Sequence, residues 1–262
     1  MNLMAIIPVD KEKHINKGWI PFKDLSFAKK TTILPVTCSE LPKLSMAVPI
    51  VLIKIDEDYH FAAILGLENE KNLYVNKDGK WVSGYVPKVL QAHPFSIAIN
   101  KSNKAVLCVN DEYTVNSSDK NAEPFFTDNG DISEKLKRVL DFLEQREIDR
   151  QKTKKMCNLL DAFGVIEPAK VTIRVDRGDV DLKGYYQINE MALQKLSDEK
   201  FLELRASSAL PFCYFHLLSL HNWRTLADLD RGRSLSDQKM KELGNQIFDL
   251  SPDQTLNFEN LK

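Results

Sequence analysis

The spacing of apolar residues changes once along this chain, and that change limits the fold more than any other feature. Up to about Asn110 the apolar residues come in short runs, at 5–9, 32–36, 50–55, 61–65, 73–75, 95–99 and 105–109. Polar turn signals divide them: Asp56-Glu57-Asp58, Asn76-Lys77-Asp78-Gly79 and Asn100-Lys101-Ser102-Asn103. Short apolar runs bounded by Asn, Asp and Gly read as strands. The 76–79 stretch, between 73–75 and 81–82, reads as a tight hairpin. Residues 111–131 are polar and read as a long loop around Phe125-Phe126.

Beyond the loop the period becomes helical. Asp131 is placed to cap a helix, with Glu134 at the capping-box position. Ile132, Leu136, Val139, Leu140 and Leu143 then repeat at helical spacing. A polar stretch at 144–155 either carries the helix or kinks it. The apolar face resumes at Met156, Leu159, Leu160 and Phe163, and Gly164 supplies the stop. Next, 171–175 and 180–188 flank Asp176-Arg177-Gly178-Asp179 as a β-hairpin. Asn189 and Ser197 are each placed to cap a short helix, ending near Leu196 and Leu204. Pro211 opens an apolar helix expected to reach Leu229 and to be central and buried, because Phe212, Phe215, Leu218, Leu220 and Trp223 occupy more than one face.

The class is therefore α+β: a β-rich N-terminal lobe, a long helix, a β-hairpin and a helical C-terminal part. Arg231-Gly232-Arg233 reads as a flexible basic joint. This divides the chain into a main domain, 1–230, and an extension, 231–262. In the extension Ser236 caps an amphipathic helix carrying Met240, Leu243 and Ile247 on one face, and 251–262 form an extended tail.

The 262 residues carry 43% hydrophobic and 28% charged side chains, enough for a full core without disulfides or metal. Cys38, Cys108, Cys157 and Cys213 are widely spaced and read as reduced, buried thiols. A formal net charge of −1 with no block of one sign argues against a general grip on nucleic acid or anionic lipid. The first apolar run is broken by Pro8 and Asp10 and lacks preceding basic residues, so it is not a secretory signal. The most apolar internal stretch, 47–53, contains Pro49 and is far too short to span a bilayer. A cytoplasmic location is the expectation.

Chemistry is sparse. Cys213 and His216 share a helical face, but His221 is turned away from it and no carboxylate completes a ligand set. These read as packing residues, with no metal expected. Cys108 sits in a strand context that leaves a thiol inert. Ser83-Gly84 lacks the second glycine of a nucleophile elbow. No cofactor is expected. The segment from Trp81 through Gly84-Tyr85-Val86-Pro87 to His93-Pro94-Phe95 concentrates aromatics, glycine and prolines, which suits a rigid recognition surface. Trp81, Tyr85, Pro87, Pro94 and Phe95 are the candidate binding residues. The competing reading makes Trp81 and Phe95 core anchors and the prolines stiffeners of a sheet edge.

The same segments carry a resemblance. Leu25-Ser26-Phe27-Ala28, Leu34-Pro35-Val36 with Ser39-Glu40, and Val48-Pro49-Ile50-Val51 come in an order that resembles the SapC family. So do Leu65-Gly66-Leu67, Asn72-Leu73-Tyr74-Val75, Gly79-Lys80-Trp81 with Gly84-Tyr85-Val86-Pro87, and Pro94-Phe95. Cys108-Val109-Asn110-Asp111, Leu196-Ser197-Asp198-Glu199, and Ala209-Leu210-Pro211 leading to His216-Leu217-Leu218-Ser219-Leu220 complete the set, which spans residues 14–229. Gln91-Ala92-His93 departs from the family's basic residues and tyrosine. Asn110 stands for an acidic residue, and Cys213 and His221 are unusual at their positions.

The aromatic, Pro-rich segment and the absence of a catalytic set point to a non-enzymatic accessory or protein-interaction role with a protein partner, and the resemblance implies its setting, a bacterial envelope, surface-layer or nutrient-uptake system. It implies as an alternative an enzyme or redox partner of a flavin-dependent halogenase-like oxygenase. His216 and Asp111, on matching positions, would be its acid–base candidates. Small-molecule binding between the β-rich lobe and the helices is a third possibility.

Overall fold

A computed structural model of the chain describes residues 6–100, 102 and 104–247; the tail expected at 251–262 lies outside the described residues. The N-terminal runs form strands as their pattern requires. Ile33–Pro35, Ile50–Ile55 and Asp58–Ile64 join Ile166–Pro168 and Tyr185–Ile188 in a five-stranded antiparallel sheet. Its spatial order is 166–168, 185–188, 50–55, 58–64, 33–35. Ile6–Pro8, Ala105–Asn110 and Phe95–Ile99 form a second, three-stranded sheet. A small third sheet pairs Lys17–Trp19 with Thr114–Asn116 and Glu123–Pro124.

Besides a small cluster of Ile173, Val175 and Ala227, two large hydrophobic cores result. One surrounds the five-stranded sheet and includes Ile50, Leu52, Phe61, Ile64, Cys157, Leu160 and Cys213. The other gathers Trp19, Phe95, Val109, Phe125, Leu136 and Leu143. Glu134–Ala162 is a single uninterrupted helix that serves both: Leu136 and Leu143 fill the second core, Cys157 and Leu160 the first. Its polar middle therefore carries the helix across the junction between the cores. The cap is Ser133, whose Oγ accepts from the Leu136 N–H at 3.2 Å, and not Asp131. Asp131 instead closes the preceding turn, its N–H donating to Thr127 Oγ1. Gly164 follows the helix at φ +68°, where a Cβ would be strained.

Several expectations shift in detail. Gly79 turns at φ +76°, but only Val75 and Trp81 pair across that turn, as an isolated bridge. Val171–Val175 and Gly178–Leu182 form the expected hairpin, whereas Tyr185–Ile188 leaves it at Gly184 to join the five-stranded sheet. Asn189 and Ser197 cap Glu190–Gln194 and Asp198–Ala206 through their side chains. The Pro211 helix, Leu210–Ser219, ends ten residues before Leu229; a short 3-10 turn, Leu220–Asn222, re-aims the chain into Trp223–Ile247. Leu218 is exposed rather than central.

Arg231-Gly232-Arg233 is no joint: it lies inside that last helix, as does Ser236. Arg233 donates to the Val75 carbonyl at 2.6 Å, and Lys77 meets Asp237 at 3.2 Å, so the helix docks on the 76–79 turn. The four cysteines are free and buried. Among the described residues no helix is long and apolar enough to cross a membrane.

Candidate functional site

His216 lies on the Leu210–Ser219 helix with no solvent exposure. Its Nε2 accepts from the Ile188 N–H at 3.1 Å, its Nδ1 has no hydrogen-bond partner among the described residues, and burial drives its pKa down to about 3. Three residues on, Ser219 Oγ accepts from the Ile50 N–H at 3.1 Å and donates to the His216 carbonyl at 2.6 Å. The His216–Ser219 motif thus fastens the helix to two strands of the five-stranded sheet. Asp111 is exposed at the start of a 3-10 turn, Asp111–Tyr113, which follows strand Ala105–Asn110 of the other sheet. The fold does not assemble these two residues into one acid–base site. Cys213 is buried beside His216, whereas His221 is exposed. Among the described residues, no group of three or more His, Cys, Asp or Glu side chains forms a metal cage.

The aromatic segment divides in two. Pro87, Pro94 and Phe95 belong to the interior, with Phe95 set edge-on to Trp19 at 5.1 Å between ring centroids. Neighbouring His93 stacks on Phe27 at 3.7 Å and meets Tyr113 edge-on at 4.5 Å; burial brings its pKa to about 4. Trp81 and Tyr85 are half-buried and reach the surface. Trp81 stacks on the buried Tyr74, and the Lys43 ammonium lies 5.1 Å from the Tyr85 ring centroid, a cation–π distance. Burial raises the Tyr85 hydroxyl pKa to about 12. Tyr74 links this edge to its neighbours: its carbonyl accepts from the Val82 N–H and its hydroxyl donates to the Ala47 carbonyl. Val82, the residue after Trp81, is 47% exposed, and Met46, the residue before Ala47, is 81% exposed.

A polar cluster that sequence reasoning missed sits behind this surface. Glu40, 2% exposed, accepts from the Thr37 N–H and hydroxyl and, at 2.6 Å, from the Lys88 N–H. Lys88 Nζ reaches Asp149 Oδ2 on the long helix at 2.8 Å, and the Ser39 hydroxyl donates to the same oxygen at 2.6 Å. Burial opposes the Asp149 carboxylate, but these bonds and the Lys88 charge outweigh it and hold its pKa below the usual value. Thr153 Oγ1, one turn on, accepts from the Cys38 N–H and donates to the Asp149 carbonyl. Ser39-Glu40 and the residue after Pro87, far apart in sequence, therefore meet on the middle of the helix.

Next to the cluster a cavity of about 320 Å³ opens between the two sheets and the long helix. Pro35, His60 and Phe61 come from the five-stranded sheet, and Ser96 and Ile97 from the three-stranded one. The helix contributes Leu143, Arg146, Arg150 and Lys154. Arg150 forks onto Glu147 through two 2.7 Å bonds, and Lys154 pairs with Asp58 at 2.7 Å. Arg146 makes no hydrogen bond or ion pair among the described residues. Burial lowers its pKa, partly offset by the nearby Glu40 and Glu147 charges. The one sequence signal of this site is the run of polar residues at positions where the helix period calls for apolar ones.

Fold and site define a mixed α+β protein whose two cores share one helix and meet at a buried polar cluster. The SapC family model matches residues 9–226, and the chain belongs to that family. No curated protein and no solved structure matches it.

Proposed function

We propose that this chain is a non-enzymatic accessory protein of a bacterial envelope, surface-layer or nutrient-uptake system. In this reading it binds a protein partner through the surface around Trp81 and Tyr85. The observation that carries the reading is that Trp81, stacked on Tyr74, and Tyr85, under the Lys43 ammonium, both reach the surface in a segment that also exposes Val82. Aromatic side chains held by packing lose little entropy on binding and dominate many interfaces. The alternative of a flavin-linked enzyme draws no support from His216, which is closed to solvent, or from Asp111, which lies elsewhere.

Gly84 gives a clean test because it is exposed and a Cβ there meets no atom within 4 Å. Co-purification from native cells is compared for the wild type, Gly84→Arg and Tyr85→Ala. Loss of one specific partner from both variants, with unchanged circular dichroism, is expected. Retention of every partner by both variants would rule the surface out. Small-molecule binding is a second reading, favoured by the cavity beside Arg146.

A further inference from the structure

We propose that the cavity between the two sheets and the long helix binds a small organic monoanion, a carboxylate on an apolar body, with Arg146 holding the head group. The inference is independent of the partner surface, and its failure would leave that reading standing.

The charge arrangement selects the ligand. Of the three cationic side chains that the helix sends to the cavity, two are already neutralised, Arg150 by Glu147 and Lys154 by Asp58. The other carboxylates nearby are engaged as well. Asp149 is held by Lys88 and Ser39, and Glu40 by three donors from Thr37 and Lys88. Arg146 is left half-buried with no hydrogen bond among the described residues, attracted only through space by the Glu40 and Glu147 charges. N–H donors held in a half-buried position without an acceptor gain from one, and a carboxylate entering the cavity supplies it.

One guanidinium without an acceptor takes one head group. Its planar fork matches a carboxylate, which accepts two parallel N–H bonds. A phosphate dianion would need a second free cation, and neither Arg150 nor Lys154 is free. The remaining walls include Phe61, Ile97 and Leu143, which offer the body of the ligand apolar contact. The position also fits: the cavity bridges both cores, so a bound molecule would touch both sheets and the helix that joins them.

The test uses the full chain and sodium octanoate as the probe, with 1-octanol as its neutral counterpart and inorganic phosphate as a headgroup without a body. Isothermal titration and thermal unfolding are run on the wild type, Arg146→Gln and Arg146→Lys. Expected are saturable octanoate binding with a raised Tm in the wild type and a loss of affinity of about tenfold or more in Arg146→Gln. Arg146→Lys, which keeps charge but not the fork, should fall between. Both octanol and phosphate should bind more weakly than octanoate. The Arg146 Nε–H resonance of the wild type, which needs no variant to fold, should shift on octanoate addition. Absence of saturable octanoate binding, an unmoved Arg146 resonance, equal binding by Arg146→Gln, or tighter binding of phosphate or octanol would each overturn the proposal.

Discussion

Lys88 and Asp149, 61 positions apart, meet at 2.8 Å, and their contact ties the segment after Pro87 to the middle of the long helix. Their side chains are only 22% and 8% exposed, so neither can simply turn to water when the other is removed. Breaking a buried pair from one side leaves an uncompensated charge, at a cost of 3–5 kcal/mol in the general case. Partial access of Lys88 to solvent puts this pair at the lower end. Asp149→Ala should therefore destabilise the protein by about 3 kcal/mol in urea unfolding. The double change Lys88→Met with Asp149→Leu should cost less than the two single changes summed. A single-mutant cost below about 1 kcal/mol would show that the pair is solvated.

His216 and His93 contribute to the loss of stability on the acid side of pH 6.5. Their pKa values fall from 6.5 to about 3 and about 4, in both cases through burial. Above pH 6.5 both folded and unfolded states hold these rings neutral, and nothing is lost. As pH falls below 6.5 the unfolded chain takes up protons that the folded chain refuses, so stability drops until the folded values are reached. One fully buried histidine contributes a slope of about 1.4 kcal/mol per pH unit; half-buried His93 contributes less. His216→Gln should flatten the slope between pH 5 and 6.5 by close to the single-histidine amount, whatever its effect at pH 7. Denaturation curves collected across that window read the slope directly, and an unchanged slope would contradict the assignment.

The order of elements was legible because each depends on local pattern: strand runs in the first lobe, helical period after residue 131, and side-chain caps at Asn189 and Ser197. The helix start moved from Asp131 to Ser133 because both are capable caps and only the turn from Thr127 selects between them. The Arg231–Arg233 stretch resembles a joint in isolation. Its helical state comes from tertiary docking, through Arg233 on the Val75 carbonyl and Lys77 on Asp237. The polar cluster was hidden for a similar reason. Polar residues on a helix normally read as a solvated face, and Asp149 becomes an interior residue only when Lys88 and Ser39 arrive from distant segments.

Two motif glycines should behave in opposite ways. A Cβ on Gly66 would overlap the Lys71 carbonyl oxygen and crowd Thr32 Cγ2, whereas one on Gly84 meets nothing within 4 Å. The Lys71 oxygen is backbone and cannot swing aside, so Gly66→Ala should lower stability by about 3 kcal/mol, as overpacking at a rigid site does. Gly84→Ala should stay within about 0.5 kcal/mol of wild type. Paired urea unfolding measurements decide it. A neutral Gly66→Ala would mean the 66–71 loop yields easily.

Asp230 stands where the sequence divides the main domain from the extension, and it holds the hairpin to the last helix. It is 2% exposed, and its Oδ2 accepts from Arg177 Nη1 at 2.6 Å, while Arg177 also meets Glu68 at 2.9 Å. Arg177 sits in the turn between Val171–Val175 and Gly178–Leu182, a two-stranded unit that packs through Ile173 and Val175 against Ala227 on the same helix. A two-stranded unit has little stability of its own, so this ion pair, the small apolar contact and the bonds from Arg231 to Asp176 and the Arg174 carbonyl govern how often it opens. Asp230→Ala leaves Arg177 without its buried partner. Because that arginine is 37% exposed, the expected loss is about 2 kcal/mol, below the usual figure for a wholly buried pair. Hydrogen exchange should accelerate first across residues 171–182, with the long helix 134–162 still protected. Exchange that rises uniformly over the chain would instead mark Asp230 as a residue of global stability rather than a local clasp.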